Sequence, residues 1–247
     1  MDVDKYLARI GVERPGPPSV ETLERLMRAH LTAVPFENLD VFYRRGVSTS
    51  PDSSVRKIVS RGRGGWCYEL NGAFATLLEQ LGFSVKWLAG MVPPSESGFP
   101  DHLSIEVSLD RSYLVDVGFG DSFIRPLPLD SEGPHDGGTG SYRFLFEGHR
   151  TTLMFDGPDG PETEYWFGAE ASGPETFDHS SHRLQTQPGL KWTERPFATR
   201  LLDGGPDRVT LLHDRIKFKR NGEVTEQPVA SRGEWVAMLR QWFDIAP

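Results

Sequence analysis

The segment of residues 63–71, which reads RGGWCYELN, joins a glycine-rich bend to a stretch with helical spacing and carries the only cysteine of the chain, Cys67. After it, apolar residues recur at intervals of three and four until Gly82, namely Leu70, Phe74, Leu77, Leu78 and Leu81. This spacing predicts a helix that begins near Cys67. Unpaired backbone N–H groups and the positive end of the helix dipole there favour a thiolate, which is a nucleophile. The alternative is a buried structural cysteine that packs as a small apolar group.

A base and a carboxylate follow the cysteine in the chain. His102 opens the alternating stretch HLSIEVS, and Asp116 lies in YLVDVGFG, so both belong to strand-like stretches. Thiolate chemistry needs an imidazole to take and return a proton, and a carboxylate to orient that imidazole. Taken singly, His102 is also compatible with an ordinary surface or core histidine, and Asp116 with a turn cap. Together with Cys67 they predict a Cys-His-Asp triad.

The positions of His102 and Asp116 differ by an even number, and this constrains the number of residues in the turn between their strands. A two-residue loop at 110–111 would place residue 102 opposite residue 119, and the two side chains would point to opposite faces. A three-residue loop at 109–111 places residue 102 opposite residue 118, which makes Asp116 its diagonal same-face neighbour at a Cβ separation of roughly 7–8 Å. A β-bulge would supply the same change of parity. We therefore predict that this turn is not a regular two-residue hairpin.

The remaining pattern divides the chain into three zones. Residues 1–83 have helical spacing, with Ser19 as the N-cap and Pro35 as the stop of one helix. Residues 84–188 form short alternating runs split by Gly, Pro and Asp clusters, which predicts an antiparallel sheet or barrel. Residues 189–247 combine strands near 208–212 and 216–219, an Asn221-Gly222 hairpin turn and a final helix opened by a capping box at 231–234. These patterns together predict an α+β fold.

Composition narrows the function classes. A chain of 247 residues with 37% hydrophobic residues can bury a substantial core. We find no apolar signal region and no run as long as a membrane span, so we expect a cytoplasmic protein. A single cysteine excludes an internal disulfide and Cys-based zinc spacing, and we interpret His179 and His182 as loop residues. The formal net charge of −8 argues against nucleic acid or an anionic membrane as the main partner.

Three segments, together with His102, resemble the arylamine N-acetyltransferases, a family whose fold is related to papain and the transglutaminases. They read VPFEN at 34–38, RGGWC at 63–67 and VDVGFG at 115–120, and they stand in family order at family-like distances. The resemblance spans roughly residues 1–125 with specific motifs and continues more loosely to the end. It implies a helical bundle at 1–83 carrying Cys67, a β-barrel at 84–188 carrying His102 and Asp116, and a short α/β lid at 189–247.

The resemblance also implies the activity. An acetyl group would pass from acetyl-coenzyme A to Cys67 and then to the nitrogen of an arylamine or hydrazine, in a ping-pong reaction without a metal or a bound prosthetic group. Enzymes of this kind act in xenobiotic metabolism, although a biosynthetic role stays open, as do the physiological donor and acceptor. Nothing in the sequence indicates the oligomeric state.

Further site residues follow from the same resemblance. The segment PPSESGFP at 93–100 matches the family's substrate loop, so Gly98 and Phe99 are candidates for coenzyme contact. Phe36 and Phe119 match aromatic positions of the acceptor pocket, and core packing explains them equally well. Glu37 and Arg63 lie in two of the matching segments, and we expect them to form a structural ion pair near the start of the helix that carries Cys67.

Several alternatives stay open at this point. The basic residues Arg215, Lys217, Lys219 and Arg220 could gather the anionic coenzyme, or they could be lysines and arginines that protect a strand edge. The same triad would also serve an amide synthase, a cysteine hydrolase or a transglutaminase-like enzyme. A non-catalytic binding module with a structural cysteine is the third possibility.

Overall fold

The structure is a computed structural model that describes residues 1–94 and 98–246. Its helices are α1 (Val3–Ile10), α2 (Val20–Ala33), α3 (Leu39–Phe42), α4 (Pro51–Val55), α5 (Cys67–Gln80), α6 (Asp178–Thr186), α7 (Lys191–Glu194) and α8 (Arg232–Phe243). A π-helical turn (Arg56–Ser60) continues α4, and a 3₁₀ turn (Pro174–Phe177) precedes α6. The strands are β1 (Phe36–Glu37), β2 (Ser84–Met91), β3 (His102–Ser108), β4 (Ser112–Val115), β5 (Leu127–Pro128), β6 (His135–Asp136), β7 (Ser141–Glu147), β8 (Arg150–Gly157), β9 (Gly160–Gly168), β10 (Ala198–Leu201), β11 (Arg208–Leu211), β12 (Arg215–Arg220) and β13 (Glu223–Pro228).

The helix α5 is the centre of the N-terminal part. It begins at Cys67, as its sequence pattern predicts, and Gly82 follows it in the left-handed region at φ 90°. Nearly every side chain between Cys67 and Leu78 is buried, because α5 is packed against α1, β2 and β3. The predicted cap of α2 is also confirmed, since the Ser19 side chain accepts a hydrogen bond from the Thr22 N–H.

Eight strands form one antiparallel sheet in the order β5-β4-β3-β2-β9-β8-β7-β6. The sheet curves until its edge strands β5 and β6 approach each other, which gives a nearly closed, barrel-like shape. Within it, Ser108 pairs with Ser112 and Ile105 with Val115, so residues 109–111 form the turn between β3 and β4. The turn is therefore not a two-residue hairpin, as predicted; it is the three-residue loop of the two alternatives, and the register brings residue 102 level with residue 118.

A second antiparallel sheet has the order β1-β10-β11-β12-β13 and packs against α8. The predicted hairpin turn joins β12 to β13, with Asn221 at φ 49° and Gly222 at φ 82°. In the capping motif of α8, the Ser231 side chain accepts from the Glu234 N–H, whereas the Glu234 carboxylate binds the N–H of Ala230 instead of that of Ser231.

Two interpretations of the sequence are wrong. Strand β12 lies between β11 and β13, so its basic residues do not protect a sheet edge. Two of them, Arg215 and Lys217, face Glu226 at 3.1 and 3.9 Å. His179 and His182 lie on α6 and not in a loop. This helix buries mainly small polar side chains, so its sequence lacks the apolar periodicity that predicts a helix.

The architecture is a mixed α/β fold with antiparallel sheets, as the sequence predicts. The three-zone division at residues 83 and 188 stays a prediction. β1 comes from the first zone and pairs with β10 of the last, with Phe36 opposite Thr199, so the two zones share one sheet. Within the described residues, we find no helix with both the length and the apolar character needed to cross a membrane.

Candidate active site

The register of β3 and β4 brings His102 and Asp116 together. The distance between His102 Nε2 and Asp116 Oδ2 is 2.6 Å, which fits an imidazole N–H that donates to the carboxylate. Both side chains are buried, with exposed fractions of 3% and 0%. An imidazole held in this way has one fixed orientation, with its second nitrogen available for another partner.

Asp116 is held by three further hydrogen bonds. Its Oδ1 atom accepts from the Asn71 side-chain amide and from the Gly118 N–H, both at 2.8 Å. Its Oδ2 atom accepts from the Tyr165 hydroxyl at 3.0 Å, in addition to the bond from His102. The Asn71 amide oxygen in turn accepts from the Val117 N–H at 2.9 Å. A buried carboxylate with four donors is compensated and cannot easily rotate.

The surroundings of His102 favour its protonated form. Burial alone would lower the pKa of His102, because the imidazolium ion loses its hydration. The charge and hydrogen bond of Asp116 outweigh burial, and the hydrogen bond and charge of Cys67 act in the same direction. Together they raise the pKa of His102 to about 10. The ring therefore carries a positive charge beside Cys67 at neutral pH.

We expect His102 to remain an imidazolium ion through neutral pH and to lose its proton near pH 10, since a group stays protonated below its raised pKa. In Asp116→Asn the attracting charge disappears while burial remains, so the titration should move to lower pH. Nitrogen NMR of isotopically labelled histidines, assigned with the variant His102→Gln, measures both midpoints. A neutral His102 ring in the wild-type protein at pH 7 would contradict the expected electrostatics.

The three segments found in the sequence meet at the start of α5. The Gly65 N–H donates to the Pro35 carbonyl at 3.3 Å, and the Glu37 N–H donates to the Gly65 carbonyl at 2.8 Å. A Cβ atom on Gly118 would lie 2.8 Å from the Cys67 Cα atom, so this glycine allows the Asp116 segment to pack directly on the helix start. Close backbone approach is thus the physical reason for glycine in these motifs.

A cluster of ion pairs supports the same helix start. The expected pair is present, since Arg63 lies 2.6 Å from Glu37, and it also lies 3.2 Å from Asp40. Lys57 lies 2.8 Å from Asp40 and 2.9 Å from Glu69 in the first turn of α5. Because these charges are largely buried, the loss of one partner would leave another uncompensated. The cluster therefore holds the backbone at Cys67 in position, and its residues are not among those that line the cavity.

A cavity of about 330 Å³ opens onto Cys67 and His102. Its other lining residues are Phe36, Val92, Pro93, Pro94, Asp101, Gly118, Phe119, Leu184, Lys191 and Trp192. Part of the wall is aromatic: the rings of Phe36 and Trp192 are 6.1 Å apart, and Phe119 packs edge-on against His102 at 5.1 Å. A cavity beside α2, of about 570 Å³, is larger but contains neither cysteine nor histidine. Chemistry and not volume therefore identifies the candidate site.

Of the four predicted substrate-binding residues, two line the cavity and two do not. Phe36 and Phe119 line the cavity, so both are positioned to contact a substrate. Gly98 and Phe99 are not among its lining residues, and the Phe99 ring stacks on His179 at 4.2 Å. Residues 95–97 of the expected substrate loop lie outside the described residues. Roles in substrate binding for all four candidates stay predictions.

Sequence reasoning missed four residues of the site. Asn71 had a signal, since it is a polar residue four positions after Cys67, on the same face of the predicted helix. Tyr165, Lys191 and Trp192 had none, because they reach the site through contacts between distant parts of the chain.

Comparison with known proteins gives a consistent result. A family model described as N-acetyltransferase matches residues 19–246. The arylamine N-acetyltransferase / N-hydroxyarylamine O-acetyltransferase of Salmonella typhimurium is 31% identical over 233 residues, which cover 90% of this chain and 80% of that protein.

Solved structures agree with the sequence matches. The arylamine N-acetyltransferase of Mycobacterium marinum, solved in complex with CoA, superposes with a TM-score of 0.91 at 28% identity and covers 99% of this chain and 93% of its own. An arylamine N-acetyltransferase from Bacillus cereus, described with a Cys-His-Glu catalytic triad, has a TM-score of 0.89 at 26% identity and covers 100% of both chains.

Proposed function

The chain belongs to the arylamine N-acetyltransferase family and is an N-acetyltransferase, and we propose that it works by a ping-pong reaction through an acetyl-Cys67 intermediate. Acetyl-coenzyme A is the proposed donor, and arylamines and hydrazines are the proposed acceptors. Cys67, His102 and Asp116 form the proposed catalytic triad of a papain-like core.

In the first half-reaction, the Cys67 thiolate attacks the thioester carbonyl of the donor. Because His102 Nε2 is engaged with Asp116, its Nδ1 atom is the one available to the Cys67 sulfur. The backbone N–H of Cys67 has no partner within α5, since it is the first residue of the helix, and it is a candidate donor to the oxyanion. As the tetrahedral intermediate collapses, the bond to the coenzyme sulfur breaks and His102 gives that sulfur its proton.

In the second half-reaction, the acceptor nitrogen attacks the acetyl-Cys67 carbonyl, and neutral His102 takes the proton that the nitrogen loses. The bond to the Cys67 sulfur then breaks, and the thiolate–imidazolium pair returns. Phe36, Phe119 and Trp192 provide an apolar wall for a planar acceptor. The same wall excludes water, which would otherwise hydrolyse the intermediate.

One observation supports this proposal most strongly. The only cysteine of the chain begins a buried helix and shares a cavity with a histidine that is hydrogen-bonded to a carboxylate. A structural cysteine would need neither the imidazole nor the orienting carboxylate. Geometry and family membership thus favour the same nucleophile.

Mass spectrometry of the intact protein tests the intermediate. We expect acetyl-coenzyme A alone to add the mass of one acetyl group at Cys67, and an arylamine or hydrazine to remove it with formation of the acetylated amine. Initial rates should give parallel lines in double-reciprocal plots. Intersecting lines would indicate a ternary complex and refute the ping-pong route, while rapid loss of the acetyl group to water without an amine would favour the hydrolase alternative.

A further inference from the structure

One lysine with an exposed side chain lines the cavity, and the proposed mechanism does not use it. Lys191 is the first residue of α7, and it lines the cavity together with Cys67 and His102. Its Nζ atom lies 4.7 Å from the centre of the Trp192 ring, whose face attracts a cation. Throughout residues 1–94 and 98–246, no carboxylate forms an ion pair with Lys191. Its counter-charge is therefore not provided by that part of the chain.

Three other charged side chains, those of Asp101, Lys217 and Lys219, already have partners within the chain. Asp101 also lines the cavity, but its Oδ1 atom accepts a hydrogen bond from the Val92 N–H at 2.9 Å. On β12, Lys217 faces Glu226 at 3.9 Å, and Lys219 lies 3.4 Å from Asp121. Lys191 thus differs from these lysines in having an aromatic ring, and no carboxylate, beside its ammonium group. An anionic group on a bound substrate would supply the counter-charge of the Lys191 ammonium group.

Two substrates could bring that charge. The diphosphate of the coenzyme is separated from the thioester by the pantetheine arm, which is comparable to about four extended residues, or roughly 13 Å. Lys191 instead lines the same cavity as Cys67, which suits a charge carried on the acceptor itself. In that arrangement the acceptor's amine faces Cys67, its ring lies among the aromatic side chains, and its anionic group meets Nζ.

We infer that Lys191 is a specificity-determining residue that binds an anionic group on the ring of the acceptor. This inference rests on the proposed acetyl transfer to arylamines. The preferred substrate class is then an aromatic amine that carries a carboxylate, because an ammonium group forms stronger hydrogen bonds with an ionised acceptor than with a neutral one.

The test compares para-aminobenzoate with its uncharged analogue para-aminobenzamide. We expect Lys191→Gln to lower kcat/KM for the aminobenzoate about fivefold and to change that for the aminobenzamide by less than about twofold. Lys191→Glu should lower the aminobenzoate value further. Lys217→Gln is the matched control, since it removes the same charge outside the cavity, and it should leave the ratio of the two values unchanged.

In a ping-pong reaction, kcat/KM for the acceptor reports only on the acetylated enzyme, so a defect in donor binding does not alter it. An unchanged ratio in Lys191→Gln would overturn the inference. A raised KM for acetyl-coenzyme A with equal effects on both acceptors would also overturn it and would assign Lys191 to the coenzyme phosphates. The proposed function is tested separately: acetylation of the aminobenzamide by the wild-type enzyme would support it. If the wild-type enzyme acetylated neither acceptor, the proposed function would be refuted.

Discussion

Replacement of Cys67 with alanine should lower the rate of acetyl transfer by at least about four orders of magnitude, because no other group in the cavity can form the thioester intermediate. The variant should take up no acetyl group from acetyl-coenzyme A. Product formation followed by chromatography and intact-protein mass spectrometry measure the two steps.

Cys67→Ser is the matched control for packing, since it keeps the volume of the side chain and replaces only the ionisable thiol. We expect both variants to retain the circular dichroism spectrum and cooperative unfolding of the wild-type protein. Acetyl transfer by Cys67→Ala at the wild-type rate would show that the cysteine is structural, and the binding-module alternative would then stand.

Asp116→Asn should lower kcat about a thousandfold or more, through the tautomer of His102. Asn71 and Gly118 donate to Oδ1, so the amide oxygen of the new side chain is retained there. The amide nitrogen then faces His102 and Tyr165, where the native carboxylate accepts two hydrogen bonds. His102 avoids this donor–donor contact by moving its proton to Nδ1, which can no longer accept the proton of Cys67 or of the amine.

Asp116→Glu separates charge from geometry. It keeps the acceptor and the negative charge, and the Bacillus cereus relative is described with glutamate in this role. We therefore expect Asp116→Glu to retain more activity than Asp116→Asn, with both activities measured as kcat for one arylamine. Equal activity of Asp116→Asn and the wild-type enzyme would remove Asp116 from the triad.

The parts of the site that were predictable depend on local patterns. The start of α5 follows from the apolar spacing after Cys67, and the exclusion of a two-residue turn between β3 and β4 follows from side-chain parity. Both arguments use rules that act over a few residues or one hairpin. They hold because α-helical and β-periodicities restrict where side chains can point.

The wrong interpretations involve elements without such a pattern. On α6, the buried side chains Ser180, Ser181 and Leu184 form its inner face, and two serines do not resemble an apolar stripe. Strand β12 has the charge pattern of an edge strand but gains a neighbour from β13. In each case tertiary packing overrides the local preference.

The sequence by itself determined the helix that begins at Cys67 and excluded a two-residue turn between the strands of His102 and Asp116, because both follow from the spacing of residues along the chain. Only the tertiary structure decided the partners of Asp116 and the wall of the cavity. Asn71 and Tyr165 are 45 and 49 positions away from Asp116, and α7 brings Lys191 and Trp192 to the site from the other end of the chain. Contacts of this kind arise when separate elements bury their faces together, and no periodicity within one element encodes them.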